Sequence, residues 1–166
     1  VITNRIPYMV DLINFLKSDP NIIAQGLDKN ILIYSEWTID KLSKNWDQGI
    51  VLQPLSGSVT SNTDRRTSCK ALLDWQLMVG TQVQNARSTQ QHFEINDTAS
   101  DWTIAGAYPD AAFYEGVVRQ SILDFNSSIK DGKKEYDPFV LLEMQEPEEV
   151  NGFLMLKQLY KTKFVF

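Results

Sequence analysis

The sequence predicts an α+β fold: an antiparallel sheet with two main helices packed on one side and a C-terminal β-hairpin. Three observations carry this. Two segments, one near the N-terminus and one from Asp110 to Lys130, repeat apolar residues at helical spacing. Asp74 to Val83 alternates with the period of a half-buried strand. Phe139 to Met144 and Phe153 to Phe166 are two apolar runs joined by a short acidic turn, the pattern of a closing hairpin. Strands grouped between helices favour antiparallel pairing over alternating βα units. At 166 residues the chain is expected to form a single domain, 1–166, with a substantial core.

The first helix is expected in NRIPYMVDLINFLKSDP, where Ile6, Met9, Val10, Ile13 and Leu16 share a face. Tyr8, Leu12 and Phe15 widen its apolar arc. Thr3 or Asn4 can cap it, Pro7 is tolerated in its first turn, and Ser18-Asp19-Pro20 ends it. Gly26 to Lys29 reads as a turn, Asn30 to Tyr34 as a short strand and Thr38 to Asn45 as a helical turn or two. Gly49 to Leu55 reads as a strand that Pro54 places at an edge or an end. Gly57 to Thr67 is small and polar, a loop. In the next strand Trp75, Leu77, Val79 and Val83 take one face and Gln76, Met78, Gly80 and Gln82 the other, with Met78 and Thr81 as the imperfections. Asn85 to Pro109 has little periodicity, apart from a possible short strand at Asp101–Ile104. A stretch this long without periodicity suggests a contact segment. The second helix is expected to be capped by Asp110 and to bury Tyr114, Val117, Val118, Ile122 and Phe125. Gln145 to Gly152 is the hairpin connection. In the closing strand Leu154, Leu156, Tyr160, Phe164 and Phe166 face one way and Lys157, Lys161 and Lys163 the other. A chain that closes on such a strand is expected to use it structurally.

Composition excludes several function classes. A net charge of −5 lacks the basic footprint of nucleic-acid binding, so no sequence-specific nucleic-acid contact is expected. No apolar run reaches the roughly 20 residues of a spanning helix, and VITNRIPYMV lacks the basic region and cleavage site of a signal peptide. No membrane association is expected. Asn96-Asp97-Thr98 and Asn126-Ser127-Ser128 match the glycosylation sequon by chance on this reading. The single cysteine, Cys69, and single histidine, His92, are far apart in sequence and form no local nucleophile or zinc signature. Phosphate loops and nucleophile elbows are missing. Glu143, Glu146, Glu148 and Glu149 lack the ligand spacing of a calcium loop and suit a solvated turn whose charge discourages edge pairing. Catalytic residues, cofactors and metal ligands are therefore expected to be none, and the protein is expected not to be an enzyme.

Two basic groups remain as candidate partner contacts: Arg65, Arg66 and Lys70 beside the polar loop, and Lys157, Lys161 and Lys163 on the closing strand. Either can meet a carboxylate surface, although solvated charge is the common role of such residues.

The layout resembles the tail terminator proteins of long-tailed bacteriophages. The shared features are the amphipathic N-terminal helix, the strand ending in proline (Gly49-Ile50-Val51-Leu52-Gln53-Pro54), a loop, and the Trp-initiated strand (Asp74-Trp75-Gln76-Leu77-Met78-Val79). The helix from Asp110 and a closing hairpin ending in Lys161-Thr162-Lys163-Phe164-Val165-Phe166 complete it. The resemblance implies a structural virion protein. Such a protein forms a homo-oligomeric ring at the head-proximal end of a tail tube, stops tube polymerisation and joins the tail to the head connector. It implies the tail tube protein and the head connector protein as partners, and assembly in the host cytoplasm. The alternatives are another phage neck or tail-completion protein, a small enzyme with a site built from distant residues such as Cys69, His92 and Asp101, or an adaptor acting through its loops.

Overall fold

The computed structural model describes residues 7–33, 47–62, 71–84, 108–129, 137–150 and 152–165. Helix α1 runs Pro7–Ser18. Its buried face is Tyr8, Met9, Leu12 and Leu16, with Ile13 and Phe15 partly buried, whereas Val10 is 42% exposed. The expected stripe is thus rolled, and the reason is aromatic. Tyr8 lies 6.0 Å from the Phe139 ring and Phe15 packs edge-on to Phe125 at 5.3 Å, so turning these rings inward buries more surface than Val10 offers. The proposed caps Thr3 and Asn4 and the stripe residue Ile6 lie outside the described residues.

Asp19 ends α1 and starts a short helix, α2, Pro20–Ala24. Its Oδ1 accepts the Asn21 N–H at 2.8 Å, the usual N-cap arrangement. Its Oδ2 accepts the Ser121 hydroxyl at 2.5 Å, so one buried carboxylate ties this corner to a helix far along the chain. Gly26 then turns the chain with φ +69°, a conformation that favours glycine. Strand β1, Ile31–Ile33, follows.

One sheet organises the rest. In spatial order it is β1, β2 (Gln48–Asn62), β3 (Ala71–Gln84), β6 (Phe153–Val165) and β4 (Val140–Met144), with β5 (Glu148–Val150) also pairing β6. It is mostly antiparallel, as expected, but β1 pairs β2 in parallel. Residues 34–47 supply the connection of about a dozen or more residues that parallel pairing requires. The β3–β6 ladder runs unbroken from Leu72–Val165 to Gln84–Phe153.

Three sequence expectations shift here. Strand β2 does not stop at Pro54. Pro54 pairs Leu77, and a register shift between Pro54 and Gly57 accommodates the missing N–H before pairing resumes to Asn62. Gly57 to Asn62 is therefore strand rather than loop. The acidic connection also holds a strand, because Glu148–Val150 pairs Phe153–Met155 across Gly152 at φ +82°. The elements expected at Thr38–Asn45 and Asp101–Ile104 fall outside the described residues.

The second main helix, α3, spans Tyr108–Ile129. It begins before Asp110, so Asp110 sits in the first turn rather than at the cap. Pro109 is compatible with this, since early helical positions need no N–H donor, and an acid there suits the positive end of the helix. Ala111, Tyr114, Val118, Ile122, Phe125 and Ile129 are buried and Val117 packs against them. They meet Ile50, Leu52, Trp75, Leu77, Val79, Val83, Leu156 and Tyr160 on one sheet face, with α1 and α2 completing the core on that side. The opposite face carries a smaller cluster of Val51 and Met155 with Leu32 against it. Gly80 belongs to that face, where a Cβ would sit 3.1 Å from Met155 Sδ. Both faces of β3 are buried, which explains the alternation faults: Thr81 lies within the main core face and Met78 is buried on the other.

Ile122→Ala should cost roughly 2–5 kcal/mol in chemical denaturation, the range for truncating a buried aliphatic side chain. Leu123→Ala, its 46%-exposed neighbour, should stay within about half a kcal/mol. Equal losses at the two sites would mean the helix is rotated from this placement.

Candidate functional site

The lysines of the closing strand occupy one face, as their spacing requires. Lys157 lies opposite Gly80, Lys161 opposite Gln76 and Val140, and Lys163 opposite Asp74 in the strand register. All three are half-buried rather than fully projecting. Lys157 is also engaged, since its Nζ makes an ion pair with the Glu148 carboxylate of β5. A lysine neutralised within its own chain is weaker bait for an acidic partner. Arg65, Arg66 and Lys70 lie outside the described residues, in the stretch joining β2 to β3. Cys69, His92 and Asp101 lie outside them too. Among the described residues no group of His, Cys, Asp and Glu is arranged to hold a metal ion.

The helix-facing side of the sheet holds a polar cluster that the apolar pattern hid. Gln158 and Thr162 are buried, on the same face as Leu156 and Tyr160. The signal was present: period-two alternation puts residues 158 and 162 inward along with 156 and 160. The Tyr160 hydroxyl donates to Gln158 Oε1. Glu115 of α3 faces this cluster. Burial lifts its carboxyl above the ordinary range, and the Gln158 side chain and the Arg119 guanidinium pull it partly back. Burial likewise pushes the Tyr160 phenol up, opposed by Arg119 and reinforced by Glu115. Chemically the cluster is a helix-to-sheet tether, with no activated nucleophile in it.

A reciprocal pair anchors the edge strand. Asn126 Nδ2 donates to the Phe139 carbonyl at 2.7 Å, and the Phe139 N–H donates to Asn126 Oδ1 at 2.7 Å. A side-chain amide so placed imitates a strand partner. Just before it, the Asp137 N–H donates to the Lys163 carbonyl at 2.7 Å and the Thr162 hydroxyl to the Asp137 carbonyl at 2.6 Å. From Val140 onward the outer edge of β4 has no strand beyond it among the described residues.

A groove of about 450 Å³ lies between α2 and α3, with Phe113, Gly116 and Val117 in its wall and the carboxamides of Asn21, Gln25 and Gln120 at its rim. Gly116 opens onto it, and a Cβ there would meet nothing within 4 Å. No charged side chain lines it among the described residues, so it suits a small neutral group. No helix among the described residues is long and apolar enough to cross a membrane. The chain matches no known family model, and no curated protein matches it.

Two predictions follow from these side chains. A carboxyl whose folded pKa is raised binds its proton more tightly in the folded state. Its contribution is then fully present at acid pH and is lost as pH rises through the folded pKa. Glu115→Gln should therefore gain stability relative to the parent as pH is raised from about 4 to 7, measured by paired denaturant melts, and a gap that narrows over that range would contradict the sign. Asn126→Ala strands two buried backbone groups and should cost roughly 1–3 kcal/mol for each group left unpaired. Hydrogen exchange should show the loss concentrated at Phe139 and the start of β4.

Proposed function

We propose that this protein is a structural virion subunit. It forms a ring at the head-proximal end of a phage tail tube, ends tube polymerisation and joins the tail to the head connector. The observation that supports this most is the order and proportion of the elements. An amphipathic helix, a long β2–β3 hairpin, a second amphipathic helix and a closing hairpin follow one another. This is the sequence of elements on which the resemblance to tail terminators rests, with the boundaries at Pro54 and Asp110 moved. Fold alone does not assign function, so the surfaces matter. Both helices pack on one sheet face, which leaves the opposite face with its lysines, the hairpin end and the sheet edges as the places for neighbours. A ring needs heterologous contacts, each subunit offering two different surfaces to its two neighbours.

In this function the protein works by contact, without catalysis or cofactor. Arg65 and Arg66 belong to the primary contact and the lysine face to a secondary one, of which Lys161 and Lys163 are the stronger members because Lys157 is held by Glu148. Replacing Arg65 and Arg66 by Glu should weaken assembly by at least about tenfold without moving the thermal midpoint, since charges at a contact surface act on association more than on folding. His92→Ala and Cys69→Ser should leave assembly and infectivity intact. Loss of function in a stably folded His92 or Cys69 variant would replace this proposal with an enzymatic one.

A further inference from the structure

The sheet ends on β4, and three properties of that edge belong together. First, among the described residues β4 pairs only β6, and the Asn126 clip stops at Phe139, so no described strand or side chain covers the outward backbone groups from Val140 to Met144. Second, this strand exposes apolar side chains: Val140 is 55% exposed, Leu142 45% and Met144 55%. Leu142 is the additional residue at the register shift between Leu141 and Glu143, a bulge that bends the edge locally. Third, the end of the edge beyond the bulge is acidic. Glu143 and Glu146 are exposed and make no ion pair among the described residues, whereas Glu148 is already taken by Lys157.

We propose that the outer edge of β4 receives an extended segment of a partner polypeptide as an added strand, apolar where it meets Val140 and Leu142 and carrying lysine or arginine where it meets Glu143 and Glu146. Backbone pairing supplies the affinity of such an addition and the alternating side chains supply its selectivity. Val140 on one sheet face and Met144 on the other give the apolar contacts, with Leu142 at the bulge between them. The carboxylates of Glu143 and Glu146 select basic residues at the Met144 end, while Lys161, opposite Val140, disfavours them at the other. That asymmetry sets the register of the added strand. A second copy of β4, paired antiparallel, would bring only its half-buried Lys161 towards these glutamates, so it matches them less well than a basic segment does. The proposal concerns a single subunit and does not rest on ring formation: a chain that forms no ring and still takes such a segment leaves it standing.

The test uses the isotope-labelled full chain, titrated with a short peptide of valines followed by lysines and with a matched peptide in which glutamates replace the lysines. Amide hydrogen exchange and chemical shifts are followed. The lysine peptide should slow exchange saturably at residues within Val140–Met144. The double variant Glu143→Lys, Glu146→Lys should weaken it by at least about tenfold and shift preference to the glutamate peptide. A thermal melt checks the variant, and Glu143→Gln, Glu146→Gln replaces it if the melt is not cooperative. Three results would overturn the proposal: no protection in 140–144 at millimolar peptide, equal response to both peptides, or protection of β4 that rises with protein concentration alone. The last would assign the edge to a second copy.

Discussion

The structure depends on α3 keeping its apolar stripe on the β3–β6 ladder. The stripe Tyr114, Val118, Ile122, Phe125 and Ile129 lies against Trp75, Leu77, Val79, Leu156 and Tyr160, and burial of that area is the main favourable term. Apolar burial alone is directionless. The orientation comes from polar contacts along the helix: Ser121 to the Asp19 carboxylate, Asn126 to both backbone groups of Phe139, and Glu115 towards the Gln158–Tyr160 pair. Each is buried or half-buried, where a missing partner is costly. One helix therefore fixes the α1–α2 corner, the start of the edge strand and the middle of the closing strand.

The periodic parts of this architecture were legible in the sequence. The α3 stripe, the β3 alternation and the closing hairpin all appear where their periods put them, since burial of one face leaves a signature in composition. Features set by particular partners were not legible. Nothing in the α1 segment says that Tyr8 and Phe15 will find Phe139 and Phe125, so the helix is rolled from its expected face. Pro54 reads as a strand end until a register shift accommodates it. Glu148 to Val150 reads as a turn because its partner across Gly152 is not visible in local composition. Gln158 and Thr162 were passed over because they are polar, although their parity places them inside.

The candidate contact surfaces divide on the same principle. Charge clusters can be found by eye in a sequence, but which of them is already satisfied is a property of the fold. Lys157 is neutralised by Glu148 within the subunit, so the lysine face is reduced to Lys161 and Lys163. The glutamates, expected to be a guard against edge pairing, flank an open strand with exposed apolar side chains. An acidic guard repels some strands and admits others, so the same charges that protect the edge also define the partner it accepts.

The central claim is that the chain works as an assembly part. Electron microscopy of the purified full chain, alone and mixed with a phage tail tube protein, tests it most directly. The account predicts closed rings of uniform size, either free or seated on one end of short tubes whose growth has stopped. A chain that stays monomeric in both mixtures, with tubes that lengthen unchanged in its presence, would contradict it.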